Sequence, residues 1–197
     1  MTTSTRLSTL LQAFFTDRLM KQRQVSPHTI ASYRDTFRLL LKFAHKQLKK
    51  PPSKLSLSDL DAPFIGTFLD HIQNERHNGP RTRNLRLTAI RSFFHYAAFL
   101  EPSHSAHIQR VLAIPAKRQD RPLIDFLTHP EIKALLAVPD KTTWAGRRDR
   151  ALLVLAIQTG LRLSELIGIR RRDIVLKTGA HVRCYGCLLY TSDAADE

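Results

Sequence analysis

The sequence predicts a mainly α-helical chain in two parts: a basic bundle of four helices, then an α+β part made of helices and a β-hairpin. Three observations predict this. Apolar residues recur at three- and four-residue steps from Leu7 to Leu112, the period of a helix with one buried face. A polar, basic segment bracketed by prolines, Ile114 to Pro122, then interrupts the pattern and reads as a linker between domains. Beyond it, Ile174-Val175-Leu176 and His181 to Gly186 read as strands around the turn Lys177-Thr178-Gly179-Ala180. The expected boundaries are 1–113 for the helical domain, 114–123 for the linker, 124–186 for the second domain and 187–197 for a tail.

Each element follows from its residues. Leu7, Leu10, Leu11, Phe14, Phe15 and Leu19 form one face of a first helix, which ends in the polar stretch Gln22 to Val25. Ser26-Pro27-His28-Thr29 opens the second helix, with Ser26 as N-cap and Pro27 where no amide donor is needed. Ile30, Tyr33, Phe37, Leu40, Leu41 and Ala44 face inward, and Arg34, Arg38, Lys42, Lys46 and Lys49 lie opposite. Pro51 and Pro52 end this helix. Ser58 or Asp59 is expected to cap a third, carrying Leu60, Phe64, Ile65, Phe68, Leu69 and Ile72. Asn78-Gly79-Pro80 is a turn, and a fourth helix runs from Arg81 to about Leu100, with Leu87, Ile90, Phe94 and Ala97 inward. Arg81, Arg83, Arg86 and Arg91 are placed at its start and on its polar side. Ile108, Val111 and Leu112 suggest one further short helix. In the second part, Thr128 to Glu131 is a capping box before Ile132, Leu135 and Leu136.

Composition narrows the function. The 197 residues are 43% hydrophobic, which argues for a folded chain, and carry a formal net charge of +14 with a pI near 10.5. Such a balance favours a polyanionic partner, most often nucleic acid. No apolar run approaches the ~18 residues of a membrane span, and Met1 to Arg6 lacks the pattern of a secretory signal. The cysteines are Cys184 and Cys187, so no disulfide framework supports the body of the chain, and a reducing, cytoplasmic setting fits. Cys184-x-x-Cys187 lacks the second ligand pair of a zinc site, His181 being one further candidate, and no metal or cofactor is expected.

The stretch Thr159-Gly160-Leu161-Arg162-Leu163-Ser164-Glu165-Leu166 carries the chemistry. The apolar run Ala151 to Ile157 reads as a buried helix that Gly160 stops, because glycine tolerates the left-handed C-cap. Ser164 is expected to cap a short helix after it. Arg162, between two apolar neighbours and two helices, suits an anion, since its fork of donors matches a phosphate. Glu165 lies three residues on, placed to hold the arginine when no phosphate is bound. Arg147, Arg148 and Arg150 can contact DNA or simply solvate a helix start.

This motif, continued by Ile167-Gly168-Ile169-Arg170-Arg171-Arg172-Asp173-Ile174, resembles the first active-site motif of the tyrosine recombinases, the phage-integrase and Xer-like family. Upstream, Ser26 to Tyr33, and Arg81-Thr82-Arg83-Asn84 leading to Ile90-Arg91-Ser92-Phe93-Phe94, resemble that family's SAM-like core-binding domain. The resemblance implies a DNA clamp in which helix residues enter the major groove of double-stranded DNA. Arg34, Arg38, Lys42, Arg81, Arg83, Arg86 and Arg91 are the expected DNA contacts, with Lys117 and Arg118 of the linker tracking phosphates. It also implies strand cleavage by a tyrosine through a 3′-phosphotyrosine link, without metal or ATP, on paired sites held by a tetramer. Arg162 would serve the scissile phosphate, supported by Glu165.

The resemblance stops at Gly186. A Gly-Lys-Gly turn is expected there, its lysine protonating the departing oxygen, but Cys187 follows and the chain ends in an acidic run. From Cys184 to Glu197 there is no lysine or arginine, so 187–197 reads as a non-native tail on a catalytic domain truncated before its lysine, His-x-x-Arg motif and nucleophile. Tyr185 and Tyr190 are not that nucleophile, and Tyr33 and Tyr96 fit the helical core. The expectation is a recombinase or integrase fragment, cytoplasmic and nucleoid-associated, that binds DNA without cleaving it. A non-catalytic helical DNA-binding protein, such as a regulator or excision helper, explains the charge but not the arginine motif with its hairpin. An RNA-binding or ribosome-associated protein explains the charge alone.

Overall fold

The computed structural model describes residues 6–119, 125–176 and 178–184. The chain divides into two units, Met1–Pro122 and Leu123–Glu197.

In the first unit, α1 (Leu7–Ala13) runs into a π-helical segment (Phe14–Gln22). The sequence predicts a single α-helix here, and the wider coil has a packing reason. Bonding from residue i to i+5 brings Leu19 over Phe14, and both are fully buried. The segment closes with Arg23 donating to the Arg18 carbonyl at 3.0 Å and exits through Gln24, whose φ of 45° is left-handed. α2 (Pro27–Leu48) starts as predicted, the Ser26 hydroxyl accepting from the Thr29 amide at 3.3 Å. It ends one residue before a left-handed Lys49, φ 55°.

α3 (Ala62–Asn74) is capped by neither predicted residue. Asp61 takes that role, accepting from the Phe64 amide at 2.8 Å. Asp59 instead closes a 3₁₀ turn (Leu57–Asp59), where its carboxylate takes both the amide and the hydroxyl of Ser56. Leu60 is buried ahead of the helix. α4 (Pro80–Leu100) and α5 (Ser105–Leu112) complete the unit.

Its core is aromatic. Phe14 is ringed by Phe15, Tyr33, Phe37, Phe93 and Tyr96 at centroid distances of 5.5 to 6.3 Å. Phe43, Phe64 and Phe68 continue it toward α3. Two arginines brace the bundle through neutral acceptors. Arg86 Nη1 donates to the Ser32 carbonyl at 3.1 Å and to Thr36 Oγ1 at 3.0 Å, tying α4 to α2. Arg91 Nη2 donates to the Ile114 carbonyl, and Ile114 packs on the core, so the start of the predicted linker is bound to this unit.

In the second unit, α6 (His129–Ala137) begins with the predicted box, both the amide and the hydroxyl of Thr128 donating to Glu131 Oε2 at 2.7 and 2.8 Å. α7 (Trp144–Thr159) is capped by Thr143, whose hydroxyl accepts from the Gly146 amide at 3.0 Å. Ala151 to Ile157 form its second half as predicted, but they are exposed or half-buried among the described residues, not buried. α8 (Leu163–Gly168), a 3₁₀ turn (Arg171–Asp173) and an antiparallel pair, β1 (Ile174–Val175) with β2 (His181–Val182), follow. Ile174 stands opposite Val182 and Val175 opposite His181, with Gly179 left-handed at φ 79° in the turn. Both strands are shorter than the sequence suggests, and Tyr185 and Gly186 lie outside the described residues.

Candidate active site and nucleic-acid interface

Arg162 is presented by the junction of α7 and α8. Gly160 takes the left-handed cap, φ 65°, and donates to the Ala156 carbonyl at 2.9 Å. The chain turns sharply there, and Arg162 becomes the N-cap of α8 in extended conformation. The sequence assigns that cap to Ser164, which instead lies inside the helix. Arginine offers no acceptor for the first amides of a helix, so only the reverse half of a capping box forms, with Glu165 bonding back to the N-cap amide. Glu165 Oε2 accepts from the Arg162 amide at 2.8 Å, and Glu165 Oε1 meets Arg162 Nη1 at 3.3 Å. The Glu165 side chain is nearly buried, at 9% exposure, whereas the Arg162 side chain is 62% exposed. One carboxylate therefore fixes both ends of an arginine whose outer donors face open space. That is the arrangement of a pre-positioned anion receptor.

Asp173 ties the 3₁₀ turn to the hairpin. It is 5% exposed, its Oδ2 accepts from the Arg170 amide at 2.9 Å, and its carbonyl accepts from the Arg183 amide at 2.8 Å. Beside it opens a cleft of about 390 Å³ whose walls include Glu165, Arg170, Arg172 and Arg183. Arg183 is not anticipated from the sequence; only the hairpin register brings it here. Arg147, Arg148 and Arg150 are spent locally: Arg147 on the Lys141 and Thr142 carbonyls, Arg148 on Asp149 and over the Trp144 ring, Arg150 on the Leu136 carbonyl.

In the first unit the expected contacts separate into two groups. Arg34, Arg38, Lys42, Arg81 and Arg118 are exposed. The first three stand one helical turn apart along α2, with Asp35 3.7 Å from Arg38. Arg83, Arg86 and Arg91 lie elsewhere than the polar side the sequence suggests. Arg83 shares the inward stripe with Leu87, Ile90 and Phe94; it is 6% exposed, and its Nε and Nη1 have no hydrogen-bond partner among the described residues. Lys117 is folded back, its amide and carbonyl paired with the Asn84 side chain at 3.0 and 2.7 Å and its Nζ donating to Gln73 at 2.7 Å. Among the described residues no cluster of three His, Cys, Asp or Glu side chains is placed to hold a metal, and no helix is long and apolar enough to cross a membrane.

Comparison with known proteins places these features. Residues 11–99 match the phage integrase N-terminal SAM-like domain, and residues 125–184 match the phage integrase family. The chain belongs to the phage integrase family of tyrosine recombinases. A Sinorhizobium fredii protein named "Putative integrase/recombinase" is 61% identical over 186 residues, covering 94% of this chain and 56% of that protein. A second protein of that name from the same organism is 44% identical over 171 residues, covering 87% of this chain and 61% of its own. The tyrosine recombinase XerC of Rhodospirillum centenum is 34% identical over 162 residues, 79% of this chain and 46% of that enzyme. The chain thus spans about half the length of these recombinase relatives. The SAM-like match agrees with the mostly helical first unit, and the small antiparallel sheet of the second with its α+β class.

Proposed function

We propose that this chain supplies the DNA-binding unit and the first catalytic arginine of a site-specific tyrosine recombinase or integrase. In this reading, residues 1–113 grip double-stranded DNA, 114–123 link, 124–186 begin the catalytic domain and 187–197 are a non-native tail. The single observation that carries it is Arg162, exposed on its outer face and held at both ends by the nearly buried Glu165. A guanidinium so fixed costs no reorganisation when a phosphate arrives, and it stabilises charge that develops as the phosphodiester is attacked.

In the longer protein a tyrosine hydroxyl would attack the scissile phosphorus, form a 3′-phosphotyrosine link and release a 5′ oxygen. Rejoining reverses that step, within a tetramer on paired sites in the cytoplasm, at the nucleoid. The chain as it stands carries only the Arg162–Glu165 part of this machinery. It binds duplex DNA and leaves the strands intact. Arg34, Lys42, Arg81 and Arg118, with Arg38 beside Asp35, offer exposed charge to the backbone, while Arg86, Arg91 and Lys117 brace the unit and reach DNA only with the donors they have left, and Arg83 stays in the inward stripe.

Fluorescence anisotropy with a short labelled duplex, together with denaturing electrophoresis for covalent adducts, tests this reading. The expected result is binding that weakens linearly in log–log salt plots, with no adduct. Salt-independent binding, or none, contradicts it.

A further inference from the structure

The first unit holds a second basic cleft, which the sequence does not announce. About 500 Å³ in volume, it opens between the π-helical segment, α2 and α4, and its walls are Arg18, Arg23, Tyr33, Thr88, Arg91, Ser92, His95 and Tyr96. Every one of these side chains can donate a hydrogen bond, and none is a carboxylate. Three guanidinium groups converge without a neutralising partner among the walls. Arg18 is bonded to the neutral Gln22 at 3.0 Å. Arg91 spends one nitrogen on the Ile114 carbonyl and keeps a buried Nε with no partner among the described residues. A wall of donors with an unsatisfied buried nitrogen is the complement of an anion.

The backbone supports the same conclusion. The π-helical coil that packs Phe14 and Leu19 also turns Arg18 to this side, and the left-handed Gln24 closes the turn that carries Arg23. π-helical segments are rare and concentrate at functional sites. Tyr33 and Tyr96 hold the floor rigid, because both rings pack on Phe14.

We propose that this cleft seats one backbone phosphate of the bound duplex with its flanking sugars. It would be an anchoring point set by Arg18, Arg23, Arg91 and His95, additional to the exposed cations of α2. The proposal rests on the DNA-binding reading above and names a site within it. Its role is positional: a phosphate contact fixes the register of the protein on DNA and carries no sequence preference of its own.

The test uses the whole 197-residue chain and a duplex of arbitrary sequence. The variant Arg18→Gln/Arg23→Gln is compared with Arg110→Gln, an exposed cation outside the cleft. The double variant should bind roughly tenfold more weakly at low salt. Its log–log salt slope should be shallower by about 1, the signature of one lost phosphate contact, and Arg110→Gln should leave the slope nearly unchanged. In the unaltered protein, the His95 ring resonances should shift on adding duplex, a readout independent of any variant's folding. Wild-type binding with equal slopes for all three proteins, or with an unmoved His95, overturns this site and leaves DNA binding standing. No wild-type binding at all overturns both.

Discussion

Phe14→Ala should cripple the first unit. Phe14 is fully buried and touches five aromatic rings contributed by α2, α4 and its own segment. Truncating a core phenylalanine costs about 3–5 kcal/mol. Edge-to-face pairs add about 0.5–1.5 kcal/mol each beyond buried area, so the upper end of that range applies. A domain has only about 5–15 kcal/mol of stability, so this change removes a third of it or more. Phe14→Leu, which refills part of the space, should cost about 1–3 kcal/mol. Urea denaturation followed by far-UV circular dichroism reports mainly the first unit, which holds the two longest helices, α2 and α4. Fluorescence of Trp144, the single tryptophan, reports α7 of the other unit. The dichroism midpoint should fall in the order wild type, Leu, Ala. A loss below about 1 kcal/mol for Phe14→Ala would refute Phe14 as the centre of this core.

Three further outcomes are expected. Partial burial pushes the Asp59 carboxyl up, but hydrogen bonds from Lys50 and Ser56 more than reverse this, leaving its pKa below the ordinary 3.8. A depressed carboxyl stabilises the fold above its unfolded value and loses that contribution as pH falls through the folded one. Acid titration of the first unit's stability should therefore show a loss below about pH 4 that is smaller in Asp59→Asn, which is also less stable at neutral pH. Gly146→Ala would place a Cβ 1.9 Å from the Asp140 carbonyl oxygen, so the loop before α7 must move; the Trp144 transition should fall by about 1–3 kcal/mol. Glu165→Ala should cost the second unit about 1 kcal/mol by uncapping α8, whereas Glu165→Gln, which keeps a carbonyl for the Arg162 amide, should cost less; the same denaturation curves decide.

Much of the fold was legible because its signals are local. The Ser26-Pro27 start, the Thr128–Glu131 box, the Gly160 stop and the inward stripes of α2 and α4 each rest on neighbours in the chain, and the structure has them in place. The misses are non-local. Periodicity cannot distinguish an α-helix from the π-helical coil that Phe14 and Leu19 adopt to reach one core. Asp61 outcompetes Ser58 and Asp59 because Asp59 is drawn to Ser56 and to Lys50, the latter at 2.6 Å. The polar-side placement fails for Arg86 and Arg91 because arginine also braces helices through backbone carbonyls, a use its charge does not reveal, and for Arg83 because it lies buried in the inward stripe of α4. In the site, Arg162 and Glu165 were readable from adjacent residues. Arg183 reaches the neighbouring cleft through strand pairing, and Arg18, Arg23 and His95 share a cleft only through the packing of two elements distant in the chain. The tail from Cys187 lies outside the described residues.

The most direct test of the central claim is covalent capture. Residues 1–184 would be joined to the remaining C-terminal portion of the 61%-identical Sinorhizobium fredii relative, with Arg162 intact or changed to alanine. Each chimera would be mixed with a nicked duplex that traps cleavage products, and protein–DNA adducts counted on denaturing gels. The account predicts adducts with Arg162. With Arg162→Ala they should fall by about 10²–10³-fold, the cost of removing one donor to a developing oxyanion, while anisotropy shows duplex binding within a few-fold of the parent. Equal adduct formation by the two chimeras would contradict the assignment of Arg162 to the scissile phosphate.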